Sequence, residues 1–151
     1  MPPLLIVAYG NPLRTDDGVA WRAAEALQNI FRPDQAEILT LHQLGPELAE
    51  YVSRSECVIF VDAAGGPGRP GEIQAKELSV SDSDSKSTAF CHAVSPAHVL
   101  ALAAQLYKCR PRAFSTTIVG ENFNHGEALS PAVEAALPAL LARIEELSAL
   151  R

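Results

Sequence analysis

The chain has 151 residues, with 18 acidic and 12 basic side chains and a formal net charge of −6 when histidine is neutral. A chain of this length can bury an ordinary core without disulfides or structural metals, and its acidic balance argues against a protein that binds nucleic acids or membrane surfaces. The three cysteines, at 57, 91 and 109, form no C-x-x-C pair, which excludes the usual spacing of a structural zinc site or a redox motif.

The first ten residues, MPPLLIVAYG, lack the positively charged start of a signal peptide, and no apolar run in the chain approaches the length of a membrane-spanning helix. We therefore expect a cytoplasmic protein. The apolar run Leu4–Tyr9 ends at the turn sequence GNP, which is typical of a strand buried on both faces. Residues 19–30 then carry apolar side chains at helical spacing, with Asp16 and Asp17 at the entrance of this predicted helix.

The middle of the chain repeats this alternation. Extended patterns at Ala36–Leu41 and 57–61 flank a short helix predicted at 46–53, which has a proline in its first turn, where the missing N–H costs nothing. Asp62 directly follows the third predicted strand. A glycine- and proline-rich loop then leads to another extended pattern at 72–78.

The last part begins with a serine-rich polar stretch at 79–88, which we predict to be a loop. Serine-proline pairs at 95–96 and 130–131 supply an N-cap and a proline at the first helical position for two helices, the first ending near 106. Residues 113–119 are the last predicted strand. Pro138 should kink or split the final helix.

Strands that alternate with helices in this way predict an α/β fold. We expect one three-layer domain spanning 1–151, a monomer, with a mostly parallel twisted sheet of about five strands and helices on both faces. In such sheets, ligands bind beyond the carboxyl ends of the strands, near a topological switch point. Asp16, Asp17 and Asp62 follow predicted strands, so they are candidates for a site at that edge.

These acids also have structural interpretations. Asp16 or Asp17 could cap the first helix, whose N-terminus favours negative charge, and Asp62 could accept a hydrogen bond from its own backbone in an Asx-turn. Capping needs only one acid. A second acid in the glycine-flanked sequence GNPLRTDDG, at the same edge as Asp62, therefore favours a functional site.

Histidine is the other candidate. His92 lies in a loop before a predicted helix, where its side chain can point into a site, whereas His98 falls in the first turn of that helix and is expected to be an ordinary helix residue. A thiolate–imidazole pair between Cys91 and His92 is not expected, because adjacent residues of an extended chain point to opposite sides. Two carboxylates and an imidazole suit a divalent cation such as nickel or zinc, with water as the remaining ligands.

Four stretches occur in order and cover most of the chain: GNPLRTDDGVA, VIFVDA, CHAVSPAHVLALAAQLY and GENFNHGEALSPAVEAAL. Together they resemble the hydrogenase maturation proteases, which trim the C-terminal extension from the large subunit of NiFe-hydrogenases after nickel insertion. The segment HQLGPELAE also resembles a subgroup that serves bidirectional, soluble hydrogenases.

Residue by residue, the resemblance implies that Asp17 in TDDG and Asp62 in VDA are catalytic, metal-contacting acids. It places the histidine at His92, ahead of Ser-Pro, although members that carry it after the proline would place it at His98. We predict His92. The resemblance further implies that these groups contact nickel already held by the substrate's cysteines, so that no permanently bound cofactor is expected.

The predicted partner is thus a large-subunit precursor, and the predicted activity is endopeptidase cleavage of its C-terminal extension. A phospho-receiver signalling domain is one alternative, since it also has an acidic pair after the first strand and an Asp at the end of the third. It needs a lysine at the end of the last strand, however, and none of Lys76, Lys86 and Lys108 follows 113–119. A non-catalytic chaperone that binds nickel or the large subunit could use the same residues.

Overall fold

The predicted strands form one sheet in the computed structural model, which describes residues 2–80 and 94–150. Within those ranges the strands are β1 (Leu4–Tyr9), β2 (Ala36–Leu41), β3 (Cys57–Ala64), β4 (Ile73–Leu78) and β5 (Arg112–Val119). The helices are α1 (Val19–Leu27), α2 (Leu48–Ser53), α3 (Pro96–Tyr107) and α4 (Pro131–Ser148), and a short 3-10 helix, Thr15–Gly18, precedes α1.

The order of the strands is β2-β1-β3-β5-β4. The first four in this order are parallel, and β4 pairs antiparallel with β5 at one edge. This confirms the predicted α/β fold with a mostly parallel sheet. Receiver domains belong to the flavodoxin-like fold, whose strand order is 2-1-3-4-5. The order here is 2-1-3-5-4 with an antiparallel edge strand, so the topology does not support the receiver alternative.

Successive side chains of each strand point to opposite faces of the sheet. Helices pack on both faces, so both sets of side chains are buried. Leu4 and Ile6 of β1 pack in a cluster with residues of α1 and α4. Leu5 and Val7 belong to a second cluster with residues of α2 and α3. The continuous apolar run that predicted a strand buried on both faces is thereby confirmed.

The structure differs from the sequence prediction at the ends of several elements, among them α1, which ends at Leu27 and not at 30, and in the effect of Pro138. β3 continues to Ala64 because its ladder with β5 extends through Asp62, which therefore lies within the strand and not after it. α2 begins at Leu48, two residues later than predicted. Pro138 does not split α4: the ring is on the exposed side, and the buried side chains before and after it keep the helix packed on the core.

Part of the site prediction lies outside the described residues. Residues 81–93 are not described, and they include Cys91, His92 and most of the serine-rich stretch predicted to be a loop. In the ranges 2–80 and 94–150, none of the helices has the length and apolar character needed to cross a membrane.

Candidate active site

Asp62 belongs to a row of polar side chains that crosses four neighbouring strands. It pairs with Thr117 of β5, and Thr117 pairs with Gln74 of β4. On the other side, Ala8 of β1 pairs with Val61, so that Tyr9 comes next to Asp62, and the Tyr9 hydroxyl donates a hydrogen bond to the Asp62 carboxylate. Directly paired residues share a face of the sheet. We call Tyr9, Asp62, Thr117 and Gln74 the polar row.

The charge of Asp62 is disfavoured by its surroundings. Burial and, to a smaller extent, the nearby negative charge of Asp17 raise the pKa of Asp62 to about 7, although hydrogen bonds from the Ala63 N–H and the Tyr9 hydroxyl act in the opposite direction. Burial, together with the charge of Asp62 and the hydrogen bond to it, also holds the pKa of Tyr9 far above its ordinary value. Near neutral pH, Tyr9 is therefore a protonated donor and Asp62 is divided between its two protonation states.

The second carboxylate, Asp17, is presented by the loop of residues 10–18, which we call the site loop. Its Oδ2 accepts a hydrogen bond of 2.8 Å from the backbone N–H of Asn11. Gly10 has φ +146°, and a Cβ at this position would lie 2.2 Å from the carbonyl oxygen of Asp17. Only glycine allows the end of β1 to approach Asp17 so closely, which explains why the motif begins with this residue.

Asp16 has a different role from that of Asp17. It is fully buried, and its carboxylate accepts hydrogen bonds from the N–H groups of Glu121, Asn122 and Ser130 and from the Ser130 hydroxyl, at 2.7–2.9 Å. Burial alone would raise the pKa of Asp16, but these donors outweigh it and lower the pKa. The alternative interpretation, in which one of the acids caps the first helix, is wrong, because neither the 3-10 helix nor α1 has a side-chain cap. Asp16 instead holds the start of α4.

The site loop is held by residues 120–130, which we call the bracing loop. Thr15 donates from its N–H to the carbonyl of Gly126, and the N–H of Gly126 donates to Leu13. The Nε of Arg14 donates to the carbonyl of Phe123. Thr15 has φ +51°, an uncommon value for a β-branched residue, and these hydrogen bonds maintain it. Two of the sequence stretches that carry the family resemblance therefore pack against each other.

Of the two candidate histidines, the structure describes only His98. His92 lies outside the described residues. His98 is part of a capping box at the start of α3: its N–H donates to the Ser95 hydroxyl, and its Nδ1 accepts from the Ser95 N–H. The interpretation of His98 as a helix residue thus has a specific structural basis. In the part of the chain that the structure describes, no three side chains of His, Cys, Asp or Glu are grouped closely enough to hold a metal ion.

Sequence reasoning did not identify the rest of the polar row. Tyr9 was part of an apolar strand, and Thr117 and Gln74 were ordinary strand residues. For Tyr9 and Thr117 the available signal was a hydroxyl near the carboxyl end of a parallel strand, whereas Gln74 lies near the start of the antiparallel β4 and gave no such signal. The order of the strands is needed to see that these residues adjoin Asp62.

A protein-family model for hydrogenase maturation proteases (HycI) matches residues 21–147. This range includes Asp62 and begins after Asp17. No curated protein matches the chain.

Several solved structures are similar over nearly the whole chain. The hydrogenase maturating endopeptidase HybD from E. coli has 25% sequence identity and a TM-score of 0.71, with 95% of this chain and 90% of that chain covered. The NiFe-hydrogenase maturation protease HybD from Thermococcus kodakarensis has 23% identity, a TM-score of 0.70, and 98% and 99% covered. The HycI protease from Thermococcus kodakarensis KOD1 has 18% identity, a TM-score of 0.75, and 96% and 91% covered.

Proposed function

The chain belongs to the hydrogenase maturation protease family and is an endopeptidase, and from that premise we propose that it removes the C-terminal extension of a NiFe-hydrogenase large-subunit precursor after nickel has been inserted. We further propose that it recognises the nickel itself, which reaches the site bound to the cysteines of the substrate. The residues that carry this function are Asp17, Asp62 and His92.

The observation that carries the proposal is the pair of carboxylates at the carboxyl ends of β1 and β3. Asp17 follows β1 on the site loop, Asp62 lies in β3, and the charge of Asp17 is close enough to raise the pKa of Asp62. β1 pairs with β2 on one side and β3 on the other, so these ends form a topological switch point, where α/β sheets bind their ligands.

A divalent cation suits this pair for an electrostatic reason. Two neighbouring carboxylates in a partly desolvated site repel each other, and a cation placed between them removes that repulsion. A precursor with nickel therefore gains an attraction to the site that an empty precursor lacks. Because the nickel belongs to the substrate, the chain needs few ligands of its own, and the described residues supply two carboxylates.

The proposed chemistry is attack of a water molecule on the scissile carbonyl, with the water activated by a carboxylate or polarised by the nickel of the substrate. The hydrogen bond from Tyr9 orients the Asp62 carboxylate, and the site loop fixes Asp17 through the N–H of Asn11. Orientation of this kind makes a large contribution to catalysis, because it is complete before the substrate arrives.

The decisive experiment mixes the protein with nickel-loaded and nickel-free forms of the precursor and follows the mass of the precursor by mass spectrometry. We expect cleavage of the loaded form alone, at a single site near the C-terminus. Asp17→Asn and Asp62→Asn should each slow cleavage roughly a hundredfold or more. Asp34→Asn is a matched control, since Asp34 is an exposed acid paired with Arg32. Equal cleavage of both precursors would refute nickel recognition.

A second pair of variants tests the histidine. His92→Ala should slow cleavage as strongly as the aspartate variants, while His98→Ala should mainly destabilise the start of α3, because Nδ1 of His98 is occupied by the capping box. The reverse result would move the assignment to His98. Tight binding of the loaded precursor without any change in its mass would instead support the chaperone alternative.

A further inference from the structure

A groove of about 570 Å³ adjoins the polar row on the face of the sheet that carries α3. Its floor consists of Ser115 and Thr117 of β5 with Gln74 and Lys76 of β4, and the start of α3 at Ser95 forms one wall. Gln74 and Lys76 pair directly with Thr117 and Ser115, so the four side chains share one face.

The groove lies next to the candidate active site. Thr117 is the direct partner of Asp62 across the β3–β5 ladder, and Gln74 is one strand further out. Neighbouring strands lie about 4.8 Å apart, so Gln74 lies about 10 Å from Asp62 along the row. An extended peptide covers this distance in about three residues. A peptide cut beside Asp62 therefore reaches the groove within a few residues of the cut.

The chemistry of the groove indicates what it binds. Its floor offers two hydroxyls and an amide, which can bond to a peptide backbone, and one cation, Lys76. Lys76 is exposed, and within residues 2–80 and 94–150 it forms no ion pair. Because the other side chains of the floor are uncharged, Lys76 favours a ligand that carries a negative charge at this end of the groove.

We propose that this groove binds the C-terminal extension of the substrate, with Lys76 pairing to a carboxylate of that segment. The inference rests on the proposed function, because it assumes that the scissile bond lies beside Asp62. The folded part of the large subunit, with its nickel, then faces the carboxylates, and the segment to be removed crosses Thr117 and Gln74. Lys76 and Gln74 act in binding and not in the chemical step.

The test measures KM and kcat separately for cleavage of the nickel-loaded precursor. Lys76→Met should raise KM about 3- to 5-fold and Lys76→Glu about tenfold, with kcat changed less than about twofold. Arg110→Glu is the matched control: Arg110 is also exposed and precedes β5 at the opposite end of the sheet. An exposed lysine on an edge strand can also act only to prevent aggregation, but that role does not change KM.

The outcomes separate this inference from the proposed function. If the unmodified protein does not cleave the loaded precursor, the proposed function fails. If it cleaves, but Lys76→Glu leaves KM unchanged or Arg110→Glu raises it equally, the groove assignment is wrong. Binding of the mature large subunit, which lacks the extension, should be the same for the unmodified protein and Lys76→Glu, and an equal loss of affinity for mature subunit and precursor would also overturn the assignment.

Changes in the precursor identify the carboxylate. In one form the acidic side chains of the extension are neutralised, and in another the C-terminal carboxylate is displaced by two added glycines. The change that removes the partner of Lys76 should raise KM for the unmodified protein and have no further effect in Lys76→Met. Additive effects of both changes with Lys76→Met would overturn the pairing.

Discussion

Replacing Asp62 by asparagine should stabilise the free protein while it abolishes processing. The carboxylate of Asp62 is partly buried beside Asp17, which raises its pKa from an ordinary value of 3.8 to about 7. The folded state therefore resists ionisation of a group that ionises readily in the unfolded chain. Asparagine has nearly the same shape, can accept the hydrogen bond from Tyr9, and carries no charge.

The size of the effect follows from proton linkage. Both states hold the proton of Asp62 below pH 3.8, so the ionisation cost is absent there. As the pH rises from 3.8 to about 7, the unfolded state releases the proton first, and the free energy of unfolding falls by up to about 1.4 kcal/mol for each pH unit. The full cost above pH 7 approaches about 4 kcal/mol, and solvent screening of a partly exposed group lowers our expectation to about 2–4 kcal/mol.

Urea denaturation of the unmodified protein and Asp62→Asn at a series of pH values from 4 to 8 measures this directly. The variant should match the unmodified protein near pH 4 and exceed it by about 2–4 kcal/mol at pH 8, or by roughly 5–15 °C in Tm. Asp16→Asn is the contrasting control. It should lower stability at pH 8 by about 2–4 kcal/mol, because an amide cannot accept from all the donors around the fully buried Asp16.

The reasoning would be refuted by either of two results. A variant Asp62→Asn that is less stable than the unmodified protein at pH 8 would mean that the carboxylate makes net favourable contacts in the free protein. A gain that is the same at pH 4 and pH 8 would mean that it comes from packing and not from the charge.

Three further predictions test single contacts. Tyr9→Phe removes a hydrogen bond that favours the ionised form of Asp62. An NMR titration of the Asp62 carboxyl should therefore give a higher pKa in the variant than in the unmodified protein. An unchanged or lower pKa would contradict the contact. Gly10→Ala places a Cβ against the backbone of Asp17 and should reduce the rate of processing at least tenfold, because it displaces the site loop. Near-normal processing would show that the site tolerates this displacement. Thr116→Val should raise the free energy of unfolding, measured in urea, by about 1 kcal/mol. The reason is that the buried Thr116 hydroxyl has no hydrogen-bond partner among the described residues. A loss of stability would show that the hydroxyl has a partner.

Most of the fold follows from local patterns in the sequence. The apolar runs of β1 and β3, and the serine-proline starts of α3 and α4, identify those elements because burial on both faces and the lack of a proline N–H act within a few residues. The direction of β4 was not predicted as antiparallel. Strand direction depends on the path of the connecting chain, which no periodicity in a short strand records.

The site was predictable only in part, for a similar reason. Asp17 and Asp62 stand out locally, as acids after apolar strands. What distinguishes Asp16 from Asp17 is a set of donors more than a hundred residues away in sequence, around Ser130. Tyr9 becomes part of the site only when β1 is placed beside β3. The local sequence therefore identifies the charged residues of the site, but the environment of these residues depends on the arrangement of the strands.

The contacts of Asp16 also determine how much of the chain must be synthesised before the site can form. The site loop leaves the ribosome well before the groups that hold it, from Glu121 to Ser130, which are made more than 100 residues later. At about 5–20 residues per second, this separation amounts to roughly 5–20 seconds of synthesis. During that interval the nascent chain contains Asp17 without the support that positions it. Peptidase activity therefore requires that the chain has been translated at least through Ser130.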